Sequence, residues 1–197
     1  GVLVFIMSFL SITGGSTINL MKAESPGPSV SRLVPHVKDT AKILYKIYIF
    51  ITVTEILLLC IFGMPLFDSL TLSFGTVGTG GFGVLNSSIA DYSPALQIII
   101  TVFMILSGVN YVAYFYLTTR QIKEIFHVEE IRVYFGVILA ASIFIAFNIR
   151  PLYPTLGECF RHAFFQVGSI ITTTGYSTTD FDLWPGFSRT ILVCLMF

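Results

Sequence analysis

The chain carries the stretch Thr76-Val77-Gly78-Thr79-Gly80-Gly81-Phe82 between two long apolar segments, where a membrane protein ordinarily has only a connector. A similar stretch, Ile171-Thr172-Thr173-Thr174-Gly175-Tyr176, follows in the C-terminal half. Both stretches, called the first and second strings below, are rich in threonine and small residues and end in a glycine followed by an aromatic residue. One such string would indicate little, but two in matching contexts indicate a pore built from repeated units.

The composition is that of a membrane protein. Hydrophobic residues make up 54% of the 197 positions and charged residues 11%, against roughly 25% charged residues in soluble domains. Mean hydropathy is +0.84. The formal net charge is zero, so charge indicates no partner class, and no nucleic-acid partner is predicted. The cysteines lack the close spacing of a disulfide framework or a metal site.

The hydropathy pattern predicts an all-α membrane protein made of repeated helix–pore loop–helix units, because a spanning helix needs about 20 largely apolar residues. Residues 66–75 and 155–169 are too short or too polar to span and are expected to form half-helices before the strings. We divide the chain into an inner helix over 1–22, a loop over 23–42, a complete unit over 43–118, a loop over 119–132 and a truncated unit over 133–197. Spanning helices are predicted over 43–64, 94–118 and 133–148. Both chain ends fall within apolar runs, so we interpret the chain as part of a longer polypeptide.

Basic residues set the expected orientation. They concentrate beside the loops over 23–42 and 119–132, which are therefore predicted to be cytoplasmic, with both strings facing outward. The string side instead carries more acidic than basic residues: Asp68, Asp91, Glu158, Asp180 and Asp182 against Arg150, Arg161 and Arg189. An acidic outer vestibule would raise the local concentration of cations.

The strings are similar to the Thr-Val-Gly-Tyr-Gly filter of potassium channels, in which backbone carbonyls replace the water shell of the ion. The carbonyls predicted to bind K⁺ are those of Val77, Gly78, Thr79, Gly80, Gly81, Ile171, Thr172, Thr173, Thr174 and Gly175. Threonine hydroxyls would add further oxygen ligands, and the half-helices would aim their negative C-terminal ends at the ion. Gly175 aligns with Gly80 or Gly81; Gly81 is preferred because an aromatic follows it. The alternative is that each string is an ordinary turn on a short connector.

Four further residues are candidates for the pore or its cavity. Gly14 and Gly15 lie in a small-residue patch that forms either a break in a pore-lining helix or a close helix contact. Glu55 is an intramembrane carboxylate, hence a functional candidate; the alternative is a carboxylate that is paired structurally or set near an aqueous face. Asn110 either points into the cavity below the strings or bonds to a neighbouring helix.

Several segments resemble the TrkH/KtrB potassium uptake family (Trk/Ktr/HKT). The residues over 67–82 resemble its second pore loop, those over 106–111 the following helix, and those over 171–185 its third pore loop. The resemblance implies four linked repeats in a pseudo-fourfold arrangement around one pore, of which this chain holds the end of the first, the whole second and most of the third. It also implies a multi-pass protein of the bacterial inner membrane, in contact with lipid, forming a homodimer and binding a cytosolic ring of nucleotide-binding regulatory subunits. The resemblance further implies K⁺ as the transported ion, and no cofactor is expected.

We therefore expect potassium uptake driven by the membrane potential, without enzymatic activity. In plant members of the family, serine at a filter glycine accompanies sodium permeation, so the retained glycines favour K⁺. Three different functions stay open: a subunit of a separately assembled cation channel, a Na⁺- or H⁺-coupled potassium symporter, and a membrane enzyme or scaffold with re-entrant loops. No paired carboxylates or nucleophile–base set supports the enzyme.

Overall fold

The computed structural model describes residues 37–118 and 128–196. All regular elements in these ranges are helical, which confirms the predicted all-α class. The helices are α1 (Val37–Ile61), α2 (Leu66–Val77), α3 (Pro94–Ser107), α4 (Tyr111–Thr118), α5 (Glu129–Asn148), α6 (Leu156–Ile171) and α7 (Gly186–Cys194). Single turns of 3₁₀-helix over Arg150–Leu152 and Phe181–Leu183 precede α6 and α7.

Helix length separates spanning helices from half-helices. Within α1 and α5, Leu44–Ile61 and Glu129–Asn148 are long and apolar enough to cross a membrane, with mean hydropathies of 2.0 and 1.9. By contrast α2 has 12 residues and α6 has 16. At 1.5 Å per residue they extend only about 18 and 24 Å, which is short of the hydrocarbon core of about 30 Å. Neither α2 nor α6 is therefore long enough to cross the layer that α1 and α5 can span.

The predicted helix over 94–118 is wrong in one respect, because it is divided. α3 ends at Ser107, and α4 begins at Tyr111. A Cβ at Gly108 would lie 2.6 Å from both Thr172 Cγ2 and Tyr134 Oη. The Tyr134 hydroxyl donates to the Ile105 carbonyl over 2.9 Å. Side chains of the second unit thus lie close to the backbone at the break between α3 and α4, and one of them bonds to a carbonyl near the end of α3.

Other boundaries also differ from the sequence prediction. The loops predicted over 23–42 and 119–132 are shorter at their C-terminal ends, because α1 already begins at Val37 and α5 at Glu129. The half-helices extend further than expected, so Val77 and Ile171, which belong to the two strings, lie in the last helical turns. The predicted inner helix over 1–22, with Gly14 and Gly15, lies outside the described residues.

The two units share one packed interior. α1 packs against α2 and α3, and α5 packs against α6 and α7. α3 of the first unit also packs against α6 of the second, where Gly168 faces the side chains of Ile105 and Thr101. Phe165 and Tyr176 of the second unit are fully buried in the core of the first, beside Leu72 and Met104. In a membrane such close packing, rather than transfer from water, holds helices together.

Candidate ion-conducting site

The first string is the C-terminal exit of α2. Its amides turn back toward the helix: Gly78 donates to Phe74 (3.0 Å), Thr79 to Thr76 (3.1 Å), and Gly80 and Gly81 both donate to Gly75 (2.8 and 3.2 Å). Such bonds satisfy carbonyls that the end of a helix would otherwise leave unpaired. The N–H groups of the first string therefore donate to carbonyls in the last turn of α2.

The second string repeats this pattern at the end of α6. Thr172 donates to Gly168 (3.2 Å), Thr173 to Ile170 (3.0 Å), and Thr174 and Gly175 both donate to Ser169 (2.9 and 3.3 Å). Two different sequences, Gly-Thr-Gly-Gly and Thr-Thr-Thr-Gly, thus form the same chain reversal.

Positive φ angles fix the alignment of the two strings. They occur at Thr79 (50°) and Gly81 (67°) in the first string, and at Thr173 (56°) and Gly175 (88°) in the second. Gly81 thus corresponds to Gly175, which is the alignment preferred from the sequence. A β-branched residue at positive φ is a genuine outlier, and such strain, about 1–3 kcal/mol per residue, clusters at functional sites.

The carbonyls of the strings differ from the amides in their hydrogen bonding. Within the described residues, no hydrogen bond is accepted by the carbonyls of residues 77–81 or 171–175. Backbone carbonyls in folded proteins are nearly always paired with protein groups or with water, so these oxygens are available to water or to a cation. The arrangement offers hard oxygen ligands and no competing amide.

The two strings lie against each other. Gly81 packs on the backbone of Thr174, where a Cβ would overlap the Thr174 carbonyl oxygen and come within 3.1 Å of its carbon. The Tyr176 hydroxyl donates to the Phe82 carbonyl over 3.0 Å, although the two residues are 94 positions apart. The string residues that were far apart in sequence are thus brought into contact.

A second set of bonds continues this contact beyond the strings. The Ile89 amide donates to the Ser177 carbonyl over 3.0 Å, and the Ser177 amide donates to Ser88 Oγ over 3.2 Å. The hydrogen bond from the Tyr176 hydroxyl to the Phe82 carbonyl is called the clasp below. Gly75 makes room for it, since a Cβ at Gly75 would overlap the Tyr176 hydroxyl. The first string is therefore held at its far end by side chains and backbone of the second unit.

One side of the paired strings is open. Gly78, Gly80, Thr173 and Gly175 are exposed in the described chain. Not every threonine hydroxyl of the strings is available as an ion ligand. The Thr172 hydroxyl donates to the Gly168 carbonyl over 2.7 Å and also pairs with the Thr174 hydroxyl at 2.7 Å. Both residues are buried, so the backbone provides most of the oxygen ligands available on the open side.

The remaining candidates lie elsewhere. Glu55 is 0% exposed and belongs to α1, which packs against α2, so its role in the pore stays a prediction. The Asn110 amide donates to Glu130 Oε2 over 2.6 Å, which is the interhelical bond that the sequence left open. Gly108, Asn110, Glu130 and Tyr134 line a cavity of about 200 Å³. Gly14 and Gly15 are outside the described residues.

A polar cluster lies beside the C-terminal end of the second string. His162 Nδ1 pairs with Thr178 Oγ1 at 2.8 Å, and its ring stacks on Tyr153 at a centroid distance of 4.9 Å. Burial, and secondly the adjacent Arg161 guanidinium, lower the pKa of His162, while Glu158 opposes the shift. His162 therefore connects α6 to Thr178, just after the second string, through a hydrogen bond.

Sequence reasoning missed three structural residues of this site: Gly75, Gly108 and the hydroxyl of Tyr176. An isolated glycine inside an apolar helix is a signal of close approach by another group, and both glycines carry that signal. The partner of each glycine was not predictable from its neighbours in the chain. Gly75 makes room for the Tyr176 hydroxyl, and Gly108 makes room for Thr172 and Tyr134.

Comparison with known proteins gives consistent matches. The profile of a family named TrkH and described as "Cation transport protein" matches residues 1–197. The "Trk system potassium uptake protein TrkH" of Salmonella typhimurium is 34% identical over 202 aligned positions, covering 100% of this chain and 42% of that protein. The protein of the same name from Halomonas elongata is 35% identical, covering 94% and 39%. The crystal structure of the potassium transporter TrkH from Vibrio parahaemolyticus matches with a TM-score of 0.77 at 27% identity, covering 88% and 38%. The chain thus spans about two fifths of the relatives that it matches.

Proposed function

Since this chain belongs to the TrkH family of cation transport proteins, we propose that its complete gene product takes up K⁺ across a membrane through a filter of backbone carbonyls. The family consists of transporters and not of enzymes, and the relatives are named as potassium uptake proteins. Uptake is driven by the membrane potential, which is worth about 2.3 kcal/mol per elementary charge at 100 mV.

One observation carries this proposal. Two strings from different units adjoin at Gly81 and Thr174, and every carbonyl over 77–81 and 171–175 is free of hydrogen bonds within the described residues. A partly dehydrated cation can satisfy such oxygens, as in known carbonyl filters. The C-terminal ends of α2 and α6 lie directly before the strings, and their partial negative charge favours a cation there.

The filter residues of this proposal are those predicted from the sequence. Val77, Gly78, Thr79, Gly80 and Gly81 contribute the carbonyls of one side. Ile171, Thr172, Thr173, Thr174 and Gly175 contribute those of the adjoining side. Glycine in the matched positions 81 and 175 favours K⁺ over Na⁺.

The open side of the strings supports a larger assembly. Two strings cannot surround an ion, and the matched relatives are more than twice as long as this chain, since it covers 42% of the Salmonella typhimurium protein. We infer that further linked repeats complete a pseudo-fourfold ring against the exposed residues Gly78, Gly80, Thr173 and Gly175. A homodimer, a cytosolic nucleotide-binding ring and a bacterial inner-membrane location, with loops 23–42 and 119–132 cytoplasmic, belong to the same proposal.

Transport by the purified complete gene product in proteoliposomes tests the proposal. Rb⁺ uptake should rise with an imposed inside-negative potential and should be displaced by external K⁺ more effectively than by Na⁺. Vesicles that take up no more Rb⁺ than protein-free vesicles would refute transport and favour a membrane scaffold.

Two variations of the assay distinguish potential-driven uptake from a coupled symporter and from a channel subunit. Uptake that requires Na⁺ or a proton gradient would identify a coupled symporter. Conduction that appears only when separate copies of the 197-residue chain assemble into tetramers would identify a channel subunit.

A further inference from the structure

Glu55 is a buried carboxyl group without an assigned role. Thr52, Glu55 and Leu59, spaced three and four residues apart, form a buried face of α1 with exposures of 4%, 0% and 0%. Within the described residues, neither Glu55 oxygen has a hydrogen-bond partner. Burying an isolated carboxylate is so unfavourable that such groups are found paired or neutral.

The position of Glu55 is directly behind the first string. α1 packs against α2, and the Glu55 carboxyl lies beside the Thr76 hydroxyl, although in this geometry neither of its oxygens completes a hydrogen bond. It also lies within electrostatic range of the Tyr176 hydroxyl. Thr76 is the first residue of the first string, and its carbonyl accepts the Thr79 amide over 3.1 Å.

The hydroxyl groups around Glu55 have already committed their hydrogens. Thr76 Oγ1 donates to the Leu72 carbonyl over 2.8 Å. The Tyr176 hydroxyl donates to the carbonyls of Phe82 (3.0 Å) and Leu72 (3.3 Å). Each hydroxyl oxygen retains the capacity to accept. An ionised carboxylate can only accept, whereas a protonated carboxyl group can also donate, so only the protonated form complements Thr76.

We propose that Glu55 is a positioning residue for ion selectivity: as a neutral donor to Thr76 Oγ1, it fixes the start of the first string from the side away from the ion. Together with the Tyr176 clasp at Phe82, this holds both ends of the first string. Small changes in the spacing of carbonyls alter the relative stabilisation of K⁺ and Na⁺. The inference rests on the proposed transport function and assigns a selectivity role to a residue that does not contact the ion.

Two substitutions at one position separate a donor role from packing. Glu55→Gln keeps a neutral donor, whereas Glu55→Leu fills similar space without one; replacing buried polar pairs by apolar residues is often tolerated. In proteoliposomes of the complete gene product, Glu55→Gln should keep the wild-type ratio of Rb⁺ to Na⁺ uptake. Glu55→Leu should lower it by up to about tenfold, the value of one net hydrogen bond. The exposed Glu129 provides the matched controls Glu129→Gln and Glu129→Leu, which should leave the ratio unchanged.

Thr76→Val supplies an independent arm if Glu55→Leu fails to accumulate in membranes. This substitution removes the accepting oxygen and keeps the shape of the side chain, so the ratio of Rb⁺ to Na⁺ uptake should fall as far as it does in Glu55→Leu. The double variant should show no further loss. An unchanged ratio in Glu55→Leu or in Thr76→Val would overturn the inference. So would Glu55→Gln behaving like Glu55→Leu. Wild-type protein that moves no Rb⁺ would instead refute the transport function itself.

Discussion

Two glycines of this chain provide a controlled test of the filter. Gly175 has φ = 88° and Gly63 has φ = 90°, and an added Cβ at either position meets no atom of the described residues within 4 Å. A serine at either site therefore has room, but its backbone is forced into a region that side chains avoid, at a cost of about 1–2 kcal/mol. The two substitutions match in strain and in steric freedom, and only Gly175 lies in a string.

The expected effect on ion selectivity differs between the two sites, because only the backbone at Gly175 carries a carbonyl of the proposed filter. Gly63 follows α1 and connects it to α2, so relaxation there moves a turn. Relaxation at Gly175 rotates the peptide that carries the unpaired Thr174 carbonyl. If about 1 kcal/mol of the strain appears as a loss of differential stabilisation between K⁺ and Na⁺, the selectivity ratio falls about fivefold.

The measurement compares Rb⁺ and Na⁺ uptake in proteoliposomes of the wild-type complete gene product, Gly175→Ser and Gly63→Ser, together with thermal unfolding of each in detergent. Both variants should lower the unfolding temperature by similar amounts. Only Gly175→Ser should lower the flux ratio. An unchanged ratio in a transport-competent Gly175→Ser, or an equal fall in Gly63→Ser, would refute the reasoning.

Three further substitutions test separate contacts of the site. Gly81→Ala should abolish Rb⁺ uptake, because the methyl group overlaps the Thr174 carbonyl oxygen; uptake near the wild-type rate would contradict the contact between strings. Tyr176→Phe removes the hydrogen bond to Phe82 and should reduce both thermal stability, by about 0.5–1.5 kcal/mol, and the ratio of Rb⁺ to Na⁺ uptake; unchanged values of both would refute the clasp. Tyr134→Phe removes the donor at the helix break and should lower the unfolding temperature without changing the flux ratio, whereas a changed ratio would show that the break influences the filter.

The local features of the fold were predictable because they depend on short stretches of sequence. The half-helices α2 and α6 were expected from their lengths and polarity, within about two residues of their observed ends. The glycines of the strings indicated chain reversal, since glycine adopts positive φ without steric cost. The match between Gly81 and Gly175 followed from the aromatic residue after each of them.

Features that depend on remote neighbours were not predictable. The apolar run over 94–118 gave no reason to expect a break beyond Gly108 itself, and the break depends on Thr172 and Tyr134 from the next unit. The sequence marked Glu55 as a candidate for the pore or its cavity, but only the packing of α1 against α2 identifies Thr76 as its neighbour. Hydropathy specifies that a segment is apolar and leaves open which of its faces meets which neighbour.

The sequence by itself determined a helical membrane protein with two reversals of glycine and threonine, because hydropathy and backbone freedom act over a few residues. Only the tertiary structure decided that these reversals adjoin, that their amides bond to the preceding helices and that their carbonyls accept no hydrogen bond from the described residues. Those outcomes depend on contacts such as Tyr176 with Phe82, which are 94 residues apart. The physical reason is that a hydrogen-bond partner is selected by proximity in the packed fold, and no local pattern encodes that proximity.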